Sequence, residues 1–173
     1  MGRDMRREIW KRRRALGSLI GLLAVAVSIS VAARPGAAQQ DAVEFETDEL
    51  AIVTAGGATH RFTVELARTP QQQAHGLMFR ENLAPDRGML FLHERAHIAS
   101  MWMKNTYIPL DMLFIAGDGR IVKIAERTVP RSRQGISSGQ PVKAVLELRG
   151  GTADRLGLAP GDRVRYPAFD GEA

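Results

Sequence analysis

Leu110-Asp111-Met112-Leu113-Phe114-Ile115-Ala116-Gly117-Asp118-Gly119-Arg120-Ile121-Val122-Lys123-Ile124-Ala125-Glu126-Arg127 is the stretch that decides the fold class. Two β-type runs, Leu110–Ala116 and Arg120–Arg127, flank Gly117-Asp118-Gly119, and residues tolerant of positive φ between such runs specify a hairpin. The same pattern occurs upstream, where Asp48–Thr54 and His60–Leu66 are separated by Ala55-Gly56-Gly57-Ala58-Thr59. Within the second of these runs, His60, Phe62, Val64 and Leu66 alternate with Arg61, Thr63 and Glu65, as in a strand with one buried face.

Further strands are expected at Gly88–His93, Ile98–Lys104, Val142–Arg149 and Arg163–Tyr166. Helices are few. Thr69-Pro70-Gln71-Gln72 supplies an N-cap threonine, a proline at the first helical position and a glutamine that completes a capping box, so a helix of about two turns should end near Gly76. Thr152–Leu156, closed by Gly157, predicts a second helical turn, and Thr128–Pro141 reads as a long polar loop. Many short strands with two small helices predict a mainly β protein, a compact single-domain β-barrel or sandwich.

The charge is unevenly placed. The chain has 173 residues and a net charge of +5, which taken whole suggests a partner rich in phosphate. Residues 1–38, however, hold eight basic and two acidic side chains, whereas the remaining 135 residues hold 16 basic and 17 acidic ones, a net −1. That balance removes the electrostatic case for nucleic acid. Residues 1–38 have the plan of an export signal: a basic segment to Arg14, no charge from Ala15 to Ala33, and a small-residue cleavage site at Gly36-Ala37-Ala38. The alternative is an uncleaved membrane anchor with its basic end in the cytoplasm. Either reading places the folded part outside the cytoplasm, periplasmic, secreted or tethered. Residues 39–49 then form an acidic tether, 50–168 the domain and 169–173 a tail. With no cysteine, the domain has no disulfide, thiolate metal site or thiol nucleophile.

A phosphate loop and a dinucleotide fingerprint are absent. No cofactor and no metal is expected, and Cu(I) binding is the lesser alternative. In an exported chain without cysteine, Met and His are the natural ligands for Cu(I), which makes Met101 and Met103 the metal candidates. Methionine also fills gaps in ordinary cores. His93 and His97 lie four apart, but Glu94-Arg95-Ala96 between them reads as a strand-end turn rather than a helix.

Seven motifs occur in one order: Gly76-Leu77-Met78-Phe79-Arg80, Gly88-Met89-Leu90-Phe91, Trp102-Met103-Lys104-Asn105-Thr106, Pro109-Leu110-Asp111, Asp118-Gly119, Leu146-Glu147-Leu148 and Gly161-Asp162. On these the chain resembles the DUF 192 family, a domain of unknown function. The resemblance implies a small, mainly β domain, often exported or lipid-tethered, with no assigned activity. Family members often carry cysteines in the loop corresponding to Thr128–Pro141, and this chain has none there. Removing the motif residues that suit turns or core leaves Arg80, Trp102, Lys104, Asn105, Asp111 and Glu147 as ligand-binding candidates. They suit a non-catalytic module for a small polar ligand, a glycan or an envelope protein. The competing expectation is a hydrolase or lyase using Asp111 and Glu147.

Overall fold

The computed structural model of the chain describes residues 43–169. The leader expected over residues 1–38 lies outside the described residues. Strands β1 (Glu46–Val53) and β2 (Thr59–Ala67) form the first hairpin, followed by helix α1 (Pro70–His75) and strand β3 (Arg87–Met101). Strands β4 (Leu110–Ile115) and β5 (Ile121–Ala125) form the second hairpin, and β6 (Ile136–Arg149), α2 (Thr152–Leu156) and β7 (Arg163–Arg165) complete the sheet. Among these elements no helix is long and apolar enough to cross a membrane.

One seven-stranded sheet runs in the order β5-β4-β6-β3-β2-β1-β7. All neighbours are antiparallel except β2 and β3, whose parallel pairing is bridged by the α1 segment. The two edge strands meet: Arg120 bridges Arg163, Ile121 N–H donates to the Asp162 carbonyl at 2.8 Å, and Val164 N–H donates to the Gly119 carbonyl at 2.8 Å. This seam turns the sheet into a nearly closed, barrel-like β structure, as the hairpin pattern predicts. Gly119 makes the seam possible. Its φ is +81°, and a Cβ there would stand 2.5 Å from the Val164 carbonyl oxygen.

Closure produces two apolar regions, because β3, β6 and β4 are covered on both faces. Inside the barrel, Ile52, Val64, Leu90, Leu113, Ile115 and Leu146 pack together. On the outer face, Leu77, Met89, Phe91, Met103, Met112, Phe114 and Val145 form a second cluster beneath the α1 segment and the loop before β4. Every residue of β4 is therefore buried, and its sequence has no polar alternation beyond Asp111.

Local expectations hold at both helices. Thr69 Oγ1 accepts from Gln72 N–H at 3.2 Å while Gln72 Oε1 accepts from Thr69 N–H at 3.0 Å, and Gly76 ends α1. Three boundaries differ from the sequence reading. The acidic stretch taken as tether already enters β1 at Glu46. Gly88–His93 and Ile98–Lys104 are one strand carrying a bulge, since both halves pair with β6. The polar loop ends at Gly135, because residues 136–141 are recruited as the first part of β6 by pairing with the far half of β3.

Candidate functional site

Glu147 is set by strand alternation on the outer face of β6, level with Met89 on β3 and Met112 on β4. It is 4 % exposed, and among the described residues no hydrogen bond or ion pair reaches its carboxyl group. Burial pushes the carboxyl up to about 8, so it holds its proton at neutral pH. The close fit of β3 to β6 here depends on Gly88, where a Cβ would lie 2.6 Å from the Glu147 carbonyl oxygen.

The side chain opens onto a recess of about 30 Å³, lined also by His75, Met78, Met101, Trp102 and Lys104. That volume accommodates one or two water-sized groups. The rim is aromatic and exposed: Trp102 is 50 % exposed and Phe79 55 %. Lys104 Nζ stands 5.4 Å from the Trp102 ring centroid, and Phe79 meets Tyr107 edge-on at 6.1 Å.

The rim is also strained. Phe79 (φ +64°) and Asn105 (φ +57°) both occupy the left-handed region, and Phe79 N–H donates to the Asn105 carbonyl at 2.8 Å. Non-glycine residues in that region cost on the order of 1 kcal/mol each and persist where the surroundings impose them, often at binding sites. Two such residues bonded to each other hold the loop after α1 against the loop before β4.

Of the six residues singled out from the sequence, the recess gathers three: Trp102, Lys104 and Glu147. Asn105 shapes the rim through its backbone, with its side-chain amide 3.8 Å from Met78 Sδ. Arg80 is committed elsewhere, in a bidentate pair with Glu65 whose Nη1–Oε1 distance is 2.7 Å. Asp111 lies on the opposite face of the sheet from Glu147. Its carboxylate is fully buried and accepts from Arg127 N–H at 2.7 Å, Gly151 N–H at 3.0 Å and Ala153 N–H at 2.8 Å, which anchors the start of α2. The two carboxylates proposed as an acid–base pair are thus not brought together. Met101 lines the recess, whereas Met103 is fully buried and its sulfur accepts from the Thr128 hydroxyl at 3.1 Å.

Sequence reasoning missed His75, Met78 and Phe79. A signal was present, because Met78 and Phe79 fall in the Gly76–Arg80 motif and Gly76 marks the chain reversal that carries them to the rim.

A search of curated proteins gives no match. Among solved structures, a Sinorhizobium meliloti protein described provisionally as a transcription regulator shares 50 % identity and a TM-score of 0.72, covering 73 % of this chain and 98 % of its own. A Novosphingobium aromaticivorans protein of unknown function shares 40 % identity and a TM-score of 0.69, covering 78 % of this chain and 94 % of its own. The sequence profile of the DUF192 family, described as an uncharacterised ACR, matches residues 51–166. With the motifs, the barrel and this alignment in agreement, the chain belongs to the DUF192 family.

Proposed function

We propose that the domain is a non-catalytic binding module, exported from the cytoplasm, that takes the polar head group of a small ligand into the recess over Glu147. The observation that carries this reading is the unpartnered carboxyl at the floor of an accessible recess. Buried polar groups are almost always hydrogen-bonded, and leaving one unmade costs roughly 1–3 kcal/mol. A ligand donor or acceptor supplies the missing partner. The recess admits no more than one or two water-sized groups, so the rest of the ligand lies outside, against the faces of Trp102 and Phe79.

Binding is favoured over hydrolysis or elimination because Asp111 is occupied by three backbone N–H groups on the far face, and Arg80 is occupied by Glu65. Neither is free to assist Glu147. The export part of the proposal rests on the basic and apolar plan of residues 1–38. Nucleic acid is disfavoured as a partner: residues 39–173 carry a net −1, whereas binding DNA draws on excess positive charge.

The test is a thermal-shift and calorimetric comparison of methylammonium, ethanolamine, glucosamine and glucose. At least one probe should raise the Tm, and Trp102→Ala and Glu147→Gln should each remove the shift. No shift with any probe, or one retained by both variants, would overturn the reading.

A further inference from the structure

The aromatic rim extends beyond the recess it surrounds. Phe45 meets His75 at a centroid distance of 6.2 Å, His75 meets Phe79 at 6.1 Å, and Phe79 meets Tyr107 at 6.1 Å, so four rings from three segments of the chain follow one another. Trp102 joins them by lining the recess together with His75. Phe79, Trp102 and Tyr107 are all exposed, and apolar groups gathered in this way on a surface mark a place of contact. The loops that carry them are locked. Phe79, Asn105 and Arg131 have φ of +64°, +57° and +63°. Beyond the bond from Phe79 to Asn105, Arg131 N–H donates to the Thr106 carbonyl at 3.0 Å and Met103 N–H to the Ser132 carbonyl at 3.0 Å. Strained backbone held by its surroundings gathers at binding sites, and here it sets the rings in place before a ligand arrives.

Two cations border the rings. Lys104 Nζ lies 5.4 Å from the Trp102 centroid, and the Arg131 guanidinium lies 4.8 Å from that of Tyr107. Among the described residues neither side chain makes an ion pair or hydrogen bond. Glu147, the acid at the floor of the recess, keeps its proton and is a donor as well. A carboxylate accepts from both donors at once, and its two oxygens match a recess sized for one or two water-sized groups. Around it, the negative faces of the aromatic rings attract the weakly positive C–H face of a pyranose.

We infer, on the footing that the recess is a ligand site, that the ligand is an acidic oligosaccharide of hexuronate units, one carboxylate seated between Glu147 and Lys104 and the pyranose faces laid on Trp102, Phe79 and Tyr107. A hexuronate bears its carboxylate directly on the sugar ring, so one unit supplies both the head group and the stacking face. A row of rings in succession calls for a chain, and Arg131 offers a partner to a further carboxylate. An acidic peptide fits less well. Its anchoring side chain needs a deeper pocket than about 30 Å³, and the edge strands β5 and β7, which could take it as an added strand, meet each other. Single-stranded nucleic acid also stacks on aromatic rings, but it draws on a cationic groove, whereas residues 39–173 carry a net −1.

The experiment is a calorimetric titration of the full chain, at one salt concentration, with tetragalacturonate, its fully methyl-esterified form, tetraglutamate and a short oligothymidylate. Tetragalacturonate should bind about tenfold or more tightly than the ester, a comparison made in the parent protein that depends on no variant. Lys104→Met should bring the acid down to the affinity of the ester and leave the ester unchanged. Tyr107→Ala should weaken both alike, and Arg155→Met, on α2, should bind as the parent does. Circular dichroism reports whether each variant is folded. Equal affinity for acid and ester, an acid preference retained in folded Lys104→Met, or tighter binding of tetraglutamate or oligothymidylate would overturn the inference and leave the recess as a site for another ligand. No binding of any chain would also overturn it, and the recess reading would fall with it only if the small probes gave no thermal shift either.

Discussion

Glu147 and Asp111 are both carboxylates on central strands, yet their surroundings give them opposite properties. Asp111 accepts three backbone N–H bonds and serves the fold by holding the start of α2. Glu147 has only Met89 and Met112 across the strands and is kept protonated, near 8, by burial. The folded pKa is raised above the ordinary carboxyl value of 4.5, so the folded state binds the proton more tightly than the unfolded state. Glu147 therefore stabilises the protein fully below the unfolded value, and this contribution is lost as pH rises through 8. Urea denaturation between pH 5 and pH 9 should show a loss on the order of 4 kcal/mol from this residue, and Glu147→Gln should flatten that slope. An unchanged slope in the variant would place the titration elsewhere. Sequence alone made the two carboxylates equivalent candidates. What separates them is which side of the sheet each faces and what covers it there.

At the scale of elements, the hairpins, both helices and their caps were legible, because their causes are local: Gly119 in its turn, the Thr69–Gln72 capping box, and Gly157 closing α2. The long strand β3 was not. Its halves look like two strands since Glu94-Arg95-Ala96 interrupts the apolar pattern, and only pairing of both halves with β6 makes them one element. The same pairing draws residues 136–141 out of the polar loop. The second hairpin has a further task in closing the barrel. Gly119→Ala should cost about 2–4 kcal/mol in denaturant titration, combining left-handed strain with a clash against the β7 backbone. Gly57→Ala, at φ +82° with open space around the added methyl, should cost only about 1 kcal/mol. Equal losses would mean that the seam adds nothing to stability.

At the scale of the molecule, the charge asymmetry between residues 1–38 and the rest is what the proposed export rests on. Expressed in a bacterium with an outer membrane, the protein should be recovered from the periplasm with an N-terminal mass corresponding to Gln39. A full-length mass in the membrane fraction would identify the segment as an anchor.

The sequence by itself determined the family, the mainly β class, the turns and caps and the near-neutral charge of residues 39–173, since each depends on neighbouring residues or on composition. Tertiary structure alone decided the closure of β5 onto β7, the exclusion of Asp111 from the site and the meeting of Glu147 with Trp102 and Lys104. It also brought Phe79 and Tyr107 together. Those features depend on which strands pair, in what register and with which face covered, and such long-range choices leave no local trace in the chain.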